Sequence, residues 1–171
     1  MLTRLLFRLA ALVLVVAAAF YALLWWSFQP TPAAWTTAAP SPIPRFEGPA
    51  AVVGDRVFAL GGFGSYQAEE RLLVATAKVD VYDPATDRWT PFTELPAPIT
   101  HINPVVDGNL IWIAGGFEGD NPGGTTASVW RIDIRTGEVT AGPPLPAPRG
   151  GGGLIRLGRW LHYAGGYYFS D

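Results

Sequence analysis

The chain repeats one pattern of hydrophobic and polar positions three times. Each copy has a short apolar stretch, a glycine-containing turn, and a second apolar stretch that ends at two adjacent glycines. The second stretches read VFALGG, LIWIAGG and LHYAGG, and their glycine pairs are Gly61-Gly62, Gly115-Gly116 and Gly165-Gly166. Two apolar runs joined by a tight turn predict a β-hairpin, so we expect three hairpins in register.

A second pair of predicted strands follows the first two glycine pairs. VYDPATDRWT at 81–90 and RIDIRTGEVT at 131–140 each place an Asp-x-x-Thr turn between two strand-like runs. The aspartate of such a turn accepts hydrogen bonds from backbone amides two or three residues later. A Leu-Pro-x-Pro connector then closes each unit, at 95–98 and 145–148. Four short strands in about 50 residues indicate stacked or radial repetition.

The unit resembles the kelch repeat of β-propellers over residues 45–171. The residues that carry the resemblance are the double glycines together with Arg45, Arg149, Phe58, Trp112, Tyr82 and Trp89. The second unit departs from the pattern, because Ile99 replaces the arginine and Ile132 and Val139 replace the tyrosine and tryptophan. The resemblance implies an all-β fold, a partial kelch-type β-propeller with four-stranded antiparallel blades.

The repeat spacing predicts two complete blades, at 45–98 and 99–148, and half of a third at 149–171. Propellers typically close a ring of about 4–8 blades, which removes exposed sheet edges. We therefore expect the sequence to be a fragment of a longer protein. Assembly of several chains into a ring and an open array are the alternatives.

Residues 1–28 differ in composition from the repeats. Positions 9–26 carry no charge and, as a helix, would span about 27 Å, close to the about 30 Å of a bilayer core. Arg4 and Arg8 precede this run, which predicts a single-pass membrane anchor through 9–26 with a cytoplasmic N-terminus and extracytoplasmic repeats. Trp25 and Trp26 would then contact lipid at the outer interface. A cleaved signal peptide and a secreted protein are the alternative.

Residues 29–44 are uncharged and contain five prolines. Proline fixes φ and removes a hydrogen-bond donor, so this segment is predicted to be a linker without helix or strand.

Composition and charge exclude several kinds of site. The chain has no cysteine, which excludes disulfides, thiolate metal sites and cysteine nucleophiles. From Phe46 onward it carries 9 basic and 14 acidic side chains, so nucleic acid is not an expected partner. No nucleophile elbow, Walker loop or His-Glu-x-x-His motif occurs. We expect no catalytic residues, no metal and no cofactor.

Candidate binding residues cluster in the loops. Strands alternate in direction, so the loops after the double glycines and the Leu-Pro-x-Pro connectors emerge on one face. The candidates on this predicted ligand-binding face are Arg45, His101, Glu118, Asp120, Asn121, Arg149 and Tyr167. Glu118, Asp120 and Asn121 lie within four residues but lack the spacing of a calcium loop. The double glycines are expected to serve close packing of neighbouring blades, because no helix follows them to bind an anion.

The resulting functional hypothesis is an exported, membrane-anchored binding module for a protein or a carbohydrate. The resemblance also leaves open that the chain is a fragment of an exported propeller enzyme, similar to galactose oxidase or to sialic-acid mutarotases. A truncated product without function is the third alternative.

Overall fold

A computed structural model describes residues 2–28, 34–121 and 123–168. The chain divides into two compact units, 1–37 and 38–171. The first contains one helix, α1 (Leu2–Ser27). The strands of the second unit are, in chain order, β1 (Ala50–Val53), β2 (Arg56–Leu60), β3 (Phe63–Gln67), β4 (Leu72–Ala75), β5 (Lys78–Asp83), β6 (Arg88–Glu94), β7 (Ile99–Thr100), β8 (Val105–Asp107), β9 (Leu110–Ala114), β10 (Phe117–Glu118), β11 (Gly124–Thr125), β12 (Val129–Asp133), β13 (Val139–Ala141), β14 (Gly150–Leu157) and β15 (Trp160–Tyr167).

Helix α1 lies where the sequence predicts a membrane anchor. Its described side chains from residue 11 onward are exposed, including Trp25 and Trp26. Over the part of the chain that the structure describes, no helix combines the length and the apolarity needed to cross a membrane. The predicted transmembrane anchor, with its lipid contact through 9–26, is therefore not supported.

The repeats form antiparallel sheets of the predicted kind. The first sheet has the order β1-β2-β5-β6 and the second has the order β8-β9-β12-β13. The third pair of strands, β14 and β15, forms a two-stranded sheet. The predicted all-β fold with four-stranded antiparallel blades is confirmed for the first two repeats, and the third repeat begins with the predicted hairpin.

The sheets pack face to face, with their first strands side by side. Strand β8 contacts both β1 and β14. The largest buried cluster lies between the first two sheets and includes Phe58, Leu60, Val79, Ile111, Ile113 and Ile132. A smaller cluster, with Ala114, Val129 and Leu154 at its centre, joins the second sheet to the third. Alternate side chains along these strands thus point towards the neighbouring repeat, and the apolar ones are buried there.

The double glycines lie where one repeat meets the start of the next. Gly61 and Gly115 have φ values of 50° and 62°, in the left-handed region that glycine tolerates. A Cβ at Gly61 would collide with the carbonyl oxygen of Ile99, and one at Gly115 with that of Arg149. The geometry at these two positions therefore requires a residue without a side chain.

The turns between outer strands have the geometry that the sequence predicts. The Asp83 carboxylate accepts a hydrogen bond from the Ala85 amide at 2.9 Å, and Asp133 accepts one from the Arg135 amide at 2.9 Å. The side chain-capped turns are confirmed, with the donor two residues after the aspartate in both cases.

The second half of the predicted linker packs on the first sheet. Residues 38–44 have no helix or strand, as expected, yet they belong to the compact repeat unit. The Ala39 amide donates to Asp87 at 2.8 Å, and the indole of Trp89 donates to the Ala39 carbonyl oxygen at 3.0 Å. This stretch is therefore docked on β6 and the β5–β6 turn rather than extended as a free spacer. Residues 29–33 of the predicted linker lie outside the described residues.

Candidate functional site

The segments that follow the first two double glycines form strands of two small sheets. Strands β3 and β4 form a hairpin in the first repeat, and β7, β10 and β11 form a three-stranded sheet in the second. The Asp120 carboxylate accepts a hydrogen bond from the backbone amide of Ala75 at 2.7 Å, and the backbone amide of Asn121 donates to the Leu73 carbonyl oxygen at 3.1 Å. These bonds join the loops of successive repeats. We call this surface, with the connectors at 45–49, 99–104 and 148–151, the loop face.

Each repeat enters the loop face through a residue in the left-handed backbone region. Glu47, His101 and Gly151 occupy the same repeat position and have φ values of 53°, 54° and 69°. The His101 amide donates to the Glu47 carbonyl oxygen at 3.4 Å, and the Gly151 amide donates to the His101 carbonyl oxygen at 3.2 Å. Backbone hydrogen bonds thus link equivalent positions of three successive repeats, and they bring the side chains of Glu47 and His101 together.

The Glu47 carboxylate and the His101 imidazole are in hydrogen-bonding contact at this junction. The Nε2 atom of His101 lies 2.9 Å from Oε2 of Glu47, and both side chains are about one third exposed, at 38% and 32%. The Nδ1 atom of His101 lies 2.9 Å from Oγ1 of Thr100, whose side chain is buried. In a neutral ring, Nε2–H donates to the carboxylate and Nδ1 accepts a hydrogen bond from the Thr100 hydroxyl. The imidazole is therefore held at both nitrogens.

Aromatic rings extend on both sides of His101 in a continuous row. Ring centroids are 6.2 Å apart for Phe46 and Phe63, 6.5 Å for Phe63 and His101, 4.9 Å for His101 and Phe117, and 5.9 Å for Phe117 and Tyr167. Phe46, at 55%, and Tyr167, at 59%, are the exposed ends, whereas Phe63 and Phe117 are buried. We call these five residues the aromatic row; it draws side chains from all three repeats.

A cavity of about 280 Å³ adjoins one end of the aromatic row. Its lining is mainly apolar and consists of Pro44, Arg45, Phe46, Phe63, Ser65, Tyr66 and Leu73. Tyr66 is 58% exposed at its rim. The cavity is therefore concave and apolar, and the rings of Phe46, Phe63 and Tyr66 contribute to its wall.

Arg45 differs from its predicted role on the ligand-binding face. Its guanidinium forms an ion pair with Asp80, with 2.5 Å between Nη2 and Oδ2, and the two side chains are 7% and 3% exposed. It also donates to the carbonyl oxygens of Gly61 at 3.1 Å and Lys78 at 3.3 Å. The guanidinium is thus enclosed and holds β2, β5 and the segment before β1 together, although Arg45 also lines the cavity.

Arg149 stands at the same repeat position in the third repeat, in a different environment. It is half-buried, and its guanidinium donates to the carbonyl oxygen of Pro148 at 3.3 Å. Among the described residues, no carboxylate lies within ion-pair distance of this guanidinium.

The acidic and amide candidates between β10 and β11 have structural partners. Glu118 accepts a hydrogen bond from the Ser128 hydroxyl at 3.1 Å, and Asp120 caps the Ala75 amide. Within the described ranges, no group of three histidine or acidic side chains is arranged to hold a metal ion. The loop that contains Asp120 therefore connects the first two repeats. Two of the predicted binding residues, His101 and Tyr167, belong to the aromatic row.

Tyr82 and Trp89 lie on the outer strands, away from the aromatic row. Their rings are 5.1 Å apart, and the Tyr82 hydroxyl donates to Asp87 at 2.7 Å. This hydrogen bond raises the pKa of Tyr82 and, with the bond from the Ala39 amide, lowers the pKa of Asp87. Both residues thus fix the docked segment at 38–44.

Sequence reasoning missed Glu47, Phe46, Phe63, Tyr66 and Phe117. One signal was available: Glu47 follows Arg45 by the same two positions that separate His101 from Ile99. The three phenylalanines and Tyr66 gave no such signal, because each looks like an ordinary apolar strand residue until the loops are brought together.

Comparisons with known proteins agree with this architecture. Residues 44–96 and 99–146 match the model of the Kelch motif. The chain is 34% identical over 143 residues to Kelch-like protein terF of Aspergillus terreus, covering 80% of this chain and 31% of the relative. It is 30% identical over 118 residues to Kelch-like protein 35 of Mus musculus, covering 69% and 18%. The chain thus spans less than a third of these relatives.

A solved structure described as the structure of YjhT has the same fold over most of the described repeats. The TM-score is 0.67 at 16% identity, with 78% of this chain and 47% of that chain covered. At this identity the likeness concerns the fold alone. Since the family model covers more than half of the residues, and the repeats form the sheets that the motif predicts, the chain belongs to the kelch-repeat family.

Proposed function

We propose that this chain is a protein-binding module that takes its partner on the loop face. Kelch-repeat proteins generally act in protein interaction. The observation that carries the proposal for this chain is the aromatic row beside the cavity of about 280 Å³. Tyrosine and phenylalanine side chains that stay exposed on a rigid framework are typical anchors of protein interfaces.

The geometry favours a partner with one large apolar or aromatic side chain. Phe46, Phe63 and Tyr66 form the aromatic walls of the cavity, and the Glu47–His101 pair lies beside Phe63 in the row. The cavity would desolvate the partner's apolar side chain, while the partly exposed Glu47–His101 pair offers polar contacts at the rim. The backbone hydrogen bonds between repeats hold these groups in place before the partner arrives, which limits the entropy lost on binding.

The proposal is tested by photo-crosslinking in cells that express the full chain. A photoreactive amino acid at position 66 should capture a discrete protein, whereas the same group at the exposed Leu157, on the β14 strand, should not. The captured protein, once purified, should bind the wild-type chain and lose about tenfold or more in affinity to Phe46→Ala. The matched control, Leu157→Ala, should bind as wild type. Equal capture at both positions, or unchanged affinity of the Phe46→Ala variant, would refute the loop face as the binding surface.

Other expectations from the sequence stay predictions. They are a carbohydrate ligand, export of the repeats to an extracytoplasmic location, and membership of a larger propeller enzyme. Since the chain spans less than a third of the two curated relatives, the activity of any whole protein that contains these repeats also stays a prediction.

A further inference from the structure

A cavity of about 490 Å³ lies on the first sheet, at the end opposite the loop face. Strand β2 begins at Arg56, β5 ends at Asp83 and β6 begins at Arg88, so these residues meet beside the β1–β2 and β5–β6 turns. The double glycine and the loop face follow the other end of β2. The lining residues of this space, which we call the turn cavity, are Arg56, Val81, Asp83, Thr86, Arg88 and Thr90.

The turn cavity adjoins the interface between the first two sheets. Val81 is buried and belongs to the hydrophobic cluster at that interface. Because side chains alternate along a strand, Arg56 lies on the same face as Phe58, and Asp83 on the same face as Val81. Arg88 is the cross-strand partner of Asp83 and shares that face. The cavity therefore lies at one end of an interface between two sheets that both belong to the described residues.

Two arginines of the turn cavity have no acidic partner. The guanidinium carbon of Arg56 lies 5.4 Å from the ring centroid of Phe58, which is buried, and Arg56 is itself half-buried. Arg88 is exposed at the start of β6. Among the described residues, neither guanidinium forms an ion pair or a side-chain hydrogen bond. Their N–H donors are therefore available to a ligand, and the stacking on Phe58 restricts the position of one of them.

The acidic residues of these turns do not cancel the positive charge of the turn cavity. Asp83 is the one carboxylate in the lining, and it accepts a hydrogen bond from the Ala85 amide at 2.9 Å. Asp87 accepts a hydrogen bond from Tyr82, whose side chain lies on the opposite face of the sheet. Asp55, in the β1–β2 turn, does not line the cavity. Two cations and one carboxylate therefore face the space.

The second repeat forms the same turn without these cations. Leu110 and Glu138 stand where the first repeat has the two cavity arginines. Asp133 corresponds to Asp83, and the side chain of Arg135 pairs with it at 2.6 Å. The aspartate-capped turn is thus compatible with an apolar and an acidic residue at the arginine positions. Folding of the turn therefore does not explain why the first repeat carries two arginines there.

We propose that the turn cavity binds a phosphate group, held between the guanidiniums of Arg56 and Arg88. Arginine donors match phosphate oxygens in geometry, and two cations complement a group that carries about −1.5 to −2 charges at neutral pH. Thr90 adds a hydroxyl donor, as does Thr86, whose hydroxyl lies 3.5 Å from the Asp83 carbonyl oxygen. Free phosphate and a phosphomonoester present the same oxygens. The site lies at the opposite end of the sheet from the aromatic row, so the inference does not depend on the proposed function.

The test follows the ¹H–¹⁵N cross-peaks of arginine Nε–H groups in the full chain at about pH 7.5, where a phosphomonoester is mainly a dianion. Titration with inorganic phosphate and with phenyl phosphate should shift the cross-peaks of Arg56 and Arg88 in a saturable way. The tighter of the two probes identifies the source as free phosphate or as an ester. Phenyl sulfate, with one negative charge, should bind about tenfold more weakly than phenyl phosphate, because its attraction to two cations is weaker.

Variants assign the binding to the two arginines. Arg56→Leu introduces the residue of the second repeat, and Arg88→Gln removes an exposed cation; each should weaken phosphate binding about tenfold, because a charge-assisted hydrogen bond is lost. The matched control is Arg131→Gln, since Arg131 also lies over an aromatic ring, Trp112 at 5.9 Å, but donates to Thr140 and does not line the cavity. The control should bind phosphate as the wild type does.

The exposed position of Arg88 keeps the test decisive if the Arg56→Leu chain folds poorly. The proposal is overturned if neither phosphate probe produces a saturable shift, or if the Arg131 cross-peak shifts as much as those of Arg56 and Arg88. Unchanged affinity of the Arg88→Gln chain would also overturn it. Equal affinity for phenyl sulfate and phenyl phosphate would refute the assignment to phosphate.

Discussion

We predict that the buried ion pair between Arg45 and Asp80 contributes substantially to the free energy of unfolding. Arg45→Met keeps much of the aliphatic length of the arginine but removes its cation. The carboxylate of Asp80, in a side chain 3% exposed, then has no charged partner, and the carbonyl oxygens of Gly61 and Lys78 lose a donor. The substitution therefore leaves three polar groups without the contacts that the folded state provides.

Breaking a buried ion pair from one side costs about 3–5 kcal/mol, because the remaining charge is uncompensated. For a unit of this size, such a loss lowers Tm by about 11–18 °C. The double variant Arg45→Met with Asp80→Leu removes both charges, and replacing a buried pair by apolar residues is close to neutral in other proteins. We expect it to recover most of the stability, with a net cost below about 2 kcal/mol. The second repeat supports this expectation, since Ile99 and Trp130 occupy the two positions there.

Urea unfolding followed by tryptophan fluorescence measures these differences, provided that the denaturant dependence is the same for all variants. Arg135→Gln is the control, because it removes an arginine that is 66% exposed and paired with Asp133 at the surface. Its midpoint should stay close to that of the wild type. If the Arg45→Met variant is as stable as the control, the pair is not the source of stability. Equal losses in the single and double variants would show that packing of the arginine, not charge compensation, is responsible.

Two further predictions concern backbone packing and surface charge. Gly116→Ala should cost at least about 3 kcal/mol of unfolding free energy, since φ is 110° and a Cβ would lie 2.6 Å from Ile102. Gly108→Ala, with φ of 58° and no atom within 4 Å of the new Cβ, should cost only about 1 kcal/mol; equal losses would contradict the packing argument. Hydrogen bonds from Arg135 lower the pKa of Asp133 to about 2, so NMR titration of its carboxyl carbon should have a midpoint near 2 that rises towards 3.8 in Arg135→Gln. Because the folded-state pKa is depressed, the pair's contribution is present above the unfolded-state pKa and is lost as pH falls towards about 2; a midpoint unchanged by the substitution would refute the role of the guanidinium.

The elements of the repeat could be predicted because their signals are local. The apolar part of LIWIAGG forms β9, and the aspartates at 83 and 133 cap their turns as expected. Each of these features depends on residues within a few positions of one another. The helix at the N-terminus was also predicted, whereas its role as a membrane anchor is not supported.

The roles of the candidate binding residues could not be predicted in the same way. Arg45 looked available on the loop face because its partner, Asp80, lies 35 residues later and gives no local sign of the pairing. Arg149 looked equivalent to Arg45, but Arg45 is enclosed by its ion pair with Asp80, whereas Arg149 is half-buried and donates to the Pro148 carbonyl oxygen. Identical residue types at one repeat position therefore have different environments, set by residues that are distant in sequence.

The sequence by itself determined the period of the repeat, the alternation of each strand and the places where glycine is required, because these follow from steric and hydrogen-bonding preferences of neighbouring residues. Only the tertiary structure decided which side chains share a surface. The aromatic row joins Phe46, His101 and Tyr167 from three repeats, and the smaller buried cluster joins Trp112 of the second sheet to Tyr163 of the third. Such contacts depend on how the sheets pack against one another, and the same strand pattern is compatible with many packings until the buried side chains select one.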